Sequence, residues 1–76
     1  MLDARLVLED GALIEMRIGR RSSYRLRFGL PGDWRVAYED GVRRVGARAS
    51  AYEFRSVEQL RYDFERDVED ARDPDR

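Results

Sequence analysis

The sequence predicts an α+β domain: a four- or five-stranded antiparallel sheet of β-hairpins, with one C-terminal α-helix packed on one face. Three observations predict it. Apolar and polar residues alternate through Tyr24 to Leu30 and again through Trp34 to Glu39, the period of a half-buried strand. Turn triplets punctuate the chain at Glu9-Asp10-Gly11, Pro31-Gly32-Asp33 and Glu39-Asp40-Gly41, as hairpins require. After Ser56 the apolar spacing changes to three and four, with Val57, Leu60, Phe64, Val68 and Ala71 forming one helical stripe.

Leu2 to Ile18 reads as the first hairpin. A two-residue Asp10-Gly11 loop would oppose Leu6 to Glu15 and set a charge on the apolar face. A three-residue loop opposes Leu8 to Ala12, Leu6 to Ile14, Ala4 to Met16 and Leu2 to Ile18. The other face then carries Arg5 opposite Glu15 and Asp3 opposite Arg17, favourable cross-strand pairs. A slip of one residue would turn every side chain to the wrong face, so this register is the expected one.

Gly19 to Ser23 is a polar connection. In the next strand Tyr24, Leu26, Phe28 and Leu30 share the inner face, with Arg25, Arg27 and Gly29 outside. The Pro-Gly-Asp turn leads to Trp34, Val36 and Tyr38, also expected inside. A second three-residue loop would oppose Leu30 to Trp34, Phe28 to Val36 and Leu26 to Tyr38, and bring Arg25 to Glu39. Val42 to Tyr52 reads as one further edge strand with a bulge at Gly46. Ser56 is an N-cap residue and Gln59, three residues on, completes a capping box. The helix stripe should cover Tyr24, Leu26, Phe28, Trp34, Val36 and Tyr38.

The 76 residues, about 9.0 kDa, form one thin-cored domain over 1–72, with 73–76 a frayed tail after Asp73-Pro74. The chain contains no histidine, no cysteine and no lysine, and all fifteen of its positive charges are arginine. Disulfides, zinc fingers, iron–sulfur sites, His- or Cys-based nucleophiles, Schiff-base lysines and the Walker lysine therefore lack their required atom. No carboxylate pair is placed in a pocket by the pattern. No catalysis, metal or cofactor is expected. No apolar run reaches membrane-spanning length, and Asp3 and Arg5 interrupt the N-terminus as a signal peptide, so a cytoplasmic location is expected.

The net charge of −1 conceals an asymmetry. Residues 1–55 carry eleven arginines and eight acids, +3, whereas residues 56–76 carry four arginines and eight acids, −4. The expectation is an arginine-rich outer sheet face of Arg25, Arg27, Arg35 and Arg43, extended by Arg20 and Arg21. An acidic outer helix face of Glu58, Asp63, Glu69 and Asp70 surrounds Tyr62. Asp67, Glu69 and Asp70 sit toward the helix C-terminus, which the macrodipole disfavours. Asp63 and Asp67 form a like-charge pair four residues apart. Arg61–Glu65 and Arg66–Asp70 offset part of that cost. A local rule broken without visible compensation marks the acidic face as the place to look for function.

The run Trp34-Arg35-Val36-Ala37-Tyr38-Glu39-Asp40-Gly41-Val42-Arg43, ten residues of the 76, resembles the strand–turn–strand end of some small phage-encoded anti-CRISPR proteins. The resemblance implies a non-enzymatic inhibitor that occludes a protein–RNA assembly, and carries no site residues with it. The sequence thus points to a protein-interaction domain, a monomer or homodimer. Its acidic helix face (Glu58, Tyr62, Asp63, Glu69, Asp70) would meet a protein partner, such as a basic nucleic-acid-binding surface. The alternative is direct nucleic-acid binding through Arg20, Arg21, Arg25, Arg27 and Arg35. The aromatics, expected on the helix-covered side, would leave that arginine face without a stacking platform.

Overall fold

In the computed structural model, which describes residues 2–20 and 23–72, six strands precede one helix. They are β1 (Leu2–Val7), β2 (Leu13–Ile18), β3 (Tyr24–Leu30), β4 (Asp33–Glu39), β5 (Val42–Val45) and β6 (Arg48–Ala51), followed by α1 (Val57–Arg72). All pair with their sequence neighbours, antiparallel, in the order β1-β2-β3-β4-β5-β6. The sheet therefore has one or two more strands than the spacing predicts. The sixth comes from a hairpin inside Val42–Tyr52: Val45 pairs with Arg48 across a two-residue Gly46-Ala47 turn. The alanines at spacing two had masked a chain reversal as a continuous edge strand. The tail 73–76 lies outside the described residues.

The β1–β2 register is the expected one, with Leu6 opposite Ile14, Ala4 opposite Met16 and Arg5 opposite Glu15. The three-residue loop is closed by the Leu8 N–H donating to Ala12 O at 2.8 Å, and by the Ala12 N–H donating to Asp10 Oδ1 at 3.1 Å. The triplet Glu39-Asp40-Gly41 closes differently. Glu39 pairs directly with Val42, and Asp40 and Gly41 both take positive φ, 44° and 93°, the signature of a two-residue type I′ turn. One triplet thus serves two loop lengths, because the flanking apolar positions, not the turn residues, decide which register buries them.

The β3–β4 hairpin departs from expectation in a way that matters. Phe28 pairs with Val36 as predicted, but Leu30 pairs with Asp33 and Gly29 with Trp34, the register shifting between Phe28 and Gly29. The loop is a two-residue Pro31-Gly32 turn and Arg35 is an extra, bulged residue. A Pro-Gly turn with Gly32 at φ +86° is of the type II kind, which splays antiparallel strands. A bulge restores twist. Gly29 makes the bulge possible: a Cβ there would lie 2.6 Å from Asp33 O and 2.9 Å from Arg35 N. Beyond the bulge, alternation inverts. Trp34 leaves the predicted core and lies half-buried on the outer face, its ring 4.3 Å from the Arg27 guanidinium carbon.

Helix α1 lies over β4 on the inner face. Leu60, Phe64 and Val68 are buried against Tyr24, Leu26, Phe28, Val36 and Tyr38, flanked by Val57 and Ala71. This is the predicted stripe on the predicted strand face, without Trp34. The return segment 52–56 adds aromatic edges: Tyr52 meets Tyr38 edge-on at 4.9 Å and Phe54 stacks on Tyr24 at 5.7 Å. The Gln59 N–H donates to Ser56 Oγ at 3.1 Å, so Ser56 is the N-cap. The reciprocal half of the capping box is replaced, because the Gln59 side-chain amide donates onward to Asp63 Oδ1 at 2.8 Å.

Candidate interaction faces

The helix carries two sets of acids that do different work. Asp67 follows Leu60 by seven residues and Phe64 by three, which puts a carboxylate on the apolar stripe. It is only 8% exposed. A buried carboxylate needs partners, and Asp67 has them: Arg43 Nε and Nη2 donate at 2.7 and 2.9 Å, and the Tyr38 hydroxyl donates at 2.5 Å. Arg43 reaches it because the two-residue Asp40-Gly41 turn opposes Arg43 to inward-facing Tyr38. Arg43 therefore sits on the helix side of the sheet, not on the outer face. Burial works to raise the Asp67 carboxyl, but the Arg43 and Tyr38 hydrogen bonds outweigh it and hold the group below the usual carboxylate range. The Tyr38 phenol is pushed well above its ordinary value, chiefly by burial and then by Asp67. Asp63 is likewise engaged, accepting from the Tyr52 hydroxyl at 2.6 Å and from Gln59. Burial and that bond push the Tyr52 phenol up as well.

The Asp63–Asp67 like-charge pair and the dipole penalty at Asp67 thus have structural compensation: Asp67 ties the helix to β4 and β5, and Asp63 ties it to Tyr52 of the return segment. A helix-stripe acid facing an inward-parity arginine is the signal that would have revealed it. What remains outward is a shallow groove of Tyr62, Glu65, Arg66, Glu69 and Asp70, with exposed Glu58 one turn before Tyr62. Tyr62 is 60% exposed, and Arg61 meets Glu65 at 3.8 Å. Of the predicted acidic face, Glu58, Tyr62, Glu69 and Asp70 are together on the surface, and Asp63 is turned to its flank.

The outer sheet face is built around Glu15, only 8% exposed. Arg5 Nη2 donates to it at 2.8 Å and Arg27 Nε at 3.0 Å, with Arg27 Nη2 a further partner. The bond from Arg27, opposed by burial and aided by Arg5, holds the carboxyl below its ordinary value. Arg25 bonds Glu39 at 3.0 Å, and Arg17 lies 3.9 Å from Asp3. Arginines and carboxylates are therefore interleaved, and the expected division into oppositely charged skins does not hold on this side. Nor do the predicted arginines form one track. Arg25 and Arg27 share the face. Arg35, thrown out of register by the bulge, borders a recess with Asp10, Asp33, Ala71 and Arg72 at the far end of the helix. Arg20 is in the β2–β3 connection, its carbonyl accepting from Ser23 N at 3.1 Å, and Arg21 lies outside the described residues. The same bulge supplies what the sequence pattern withheld, an aromatic ring beside Arg27.

Among the described residues no cluster of three or more acidic, His or Cys side chains is placed to hold a metal, and no helix is long and apolar enough to cross a membrane. Comparison with family models, with curated proteins and with solved structures returned no match.

Proposed function

We propose that this chain is a non-catalytic protein-interaction module that uses the outward face of α1 to occupy a basic surface. An inhibitor that occludes a nucleic-acid-handling protein complex is the concrete form of this reading. The observation that carries it is Tyr62, three-fifths exposed in a groove otherwise walled by Glu65, Arg66, Glu69 and Asp70. A rigid aromatic ringed by charge anchors an interface while its rim steers the partner. The helix, Val57–Arg72, carries six acids against three arginines, so a basic partner gains on-rate. The inward bracing by Asp63 and Asp67 keeps that face rigid, limiting the ordering cost of binding.

The test is anisotropy of a labelled polyarginine peptide at low and moderate salt. Tyr62→Ala and the double variant Glu69→Lys/Asp70→Lys should each weaken binding about tenfold or more, while Glu9→Lys in the first turn should leave it unchanged. Equal affinity across all three overturns the assignment. A second reading has one observation in its favour: Trp34 shares a face with Arg25 and Arg27, the pairing single-stranded nucleic acid uses. It requires salt-sensitive binding of a single-stranded RNA oligonucleotide with quenching of Trp34 emission. Glu15 and Glu39, which already hold those arginines, weigh against it.

A further inference from the structure

We propose that two copies of this chain join through their β1 strands, antiparallel and centred on Ala4, to form one continuous twelve-stranded sheet. Independently of the helix face, the buried core stops short of the β1 edge. Two apolar rows run across the inner face, Val36-Phe28-Ile14-Leu6 and Tyr38-Leu26-Met16-Ala4. Each is buried under α1 at β3 and β4, half-buried at β2 and exposed at β1, where Leu6 is 56% exposed and Ala4 is open. The apolar pattern continues past the roof that should cover it.

The edge is only lightly protected. Sheet edges are ordinarily blunted by proline, charged side chains, a bulge, an inward-pointing charge or brevity, and the two charges of β1, Asp3 and Arg5, both lie on its outer face. The opposite edge, β6, has four residues and carries Arg48. β1 has six residues in unbroken register with β2, no proline, and only apolar side chains at its inward positions Ala4 and Leu6.

The occupant follows from hydrogen-bond parity and charge. Leu8 N–H donates to Ala12 O, just before β2, so by the parity of an antiparallel ladder Leu6 and Ala4 bond toward Ile14 and Met16 of β2, and the groups of Asp3, Arg5 and Val7 point to the open side. A partner strand must therefore match odd residues to odd residues. Centring a twofold on Arg5 would set Arg5 against Arg5, and centring it on Asp3 would set Asp3 against Asp3. Centring it on Ala4 sets Asp3 against Arg5 twice, Ala4 against Ala4, and Leu6 against Leu2. Only that register is complementary, and it is complementary to itself, as a twofold interface requires. Both side chains are exposed, and Arg5 uses a single Nη2 on Glu15, leaving further guanidinium donors for the partner's Asp3.

The experiment measures mass by analytical ultracentrifugation. The native chain should pass from 9.0 kDa to twice that mass as concentration rises. Asp3→Arg alone and Arg5→Asp alone should each weaken the dimer about tenfold or more, two attractive cross-strand pairs becoming repulsive. An equimolar mixture of the two variants should recover it, because positions 3 and 5, both basic in one variant, then face positions 5 and 3, both acidic in the other. Each variant compared alone and mixed is its own folding control. Because the native chain has no cysteine, Ala4→Cys should form a disulfide-linked dimer under mild oxidation while Leu6→Cys does not. A mass that stays single up to millimolar concentration, open-ended assembly, or a dimer indifferent to the charge variants and their mixture overturns the proposal.

Discussion

Replacing Arg43 by Met removes the cation from Asp67 while keeping the aliphatic stem. Asp67 is then left 8% exposed with the Tyr38 hydroxyl as its remaining strong partner. Breaking a fully buried ion pair on one side costs roughly 3–5 kcal/mol. The Arg43 side chain is 39% exposed, so water can re-enter and the expected loss is smaller, about 2–3 kcal/mol. A 76-residue domain has on the order of 4–11 kcal/mol in all, which makes this a large share. The midpoint temperature should fall by about 10–20 °C. The pH dependence identifies the cause. Arg43 and Tyr38 lower the folded-state Asp67 pKa, so its contribution is present above the unfolded value of 3.8 and lost as pH falls through the lower folded value. In the variant the unpaired carboxylate is the penalty, and protonation relieves it. The difference between native and variant should therefore be full at pH 7 and shrink below about pH 4. Urea unfolding followed by far-UV circular dichroism at the two pH values measures it. A deficit under about 0.5 kcal/mol at pH 7, or one of equal size in acid, refutes the argument that Asp67 depends on Arg43.

Two further outcomes follow from the outer face and the bulge. Gly29→Ala should destabilise by about 2 kcal/mol or more, since its methyl would meet backbone atoms of Asp33 and Arg35 at a φ of +144°; Gly32→Ala, with open space around it, should lose only the left-handed penalty of about 1 kcal/mol, and equal losses would remove the bulge as the reason for glycine at position 29. Glu15→Gln should lose about 1.5 kcal/mol at neutral pH, and that loss should fade as pH drops below the unfolded value of 4.5, because the Arg27 and Arg5 bonds lower the folded-state value; a pH-independent loss in urea titrations would mean the pairs contribute nothing through charge.

Much of the fold was legible because local periodicity and burial agree. The β1–β2 register followed from refusing to bury Glu15 on the apolar face, and α1 from the stripe Val57, Leu60, Phe64, Val68, Ala71. The candidate site was legible only in part. Glu58, Tyr62, Glu69 and Asp70 share the outward helix face as their spacing requires. Asp63 and Asp67 looked equally exposed as charges, and their engagement with Tyr52, Tyr38 and Arg43 depends on groups eleven to twenty-nine residues away.

The amino-acid order alone determined an antiparallel sheet of hairpins roofed by one helix, since alternation, turn residues and the change to helical spacing act over a few neighbours. Beyond the extra β5–β6 hairpin, tertiary structure decided the rest at two places. The Pro31-Gly32 turn is paired with a bulge at Arg35, and that one extra residue sent Trp34 outward and Arg35 off the arginine face. The Asp40-Gly41 turn set Arg43 beside Tyr38, where a carboxylate from the helix neutralises it. Both outcomes are balances between strand pairing and burial across distant segments, which no local pattern of residues can express.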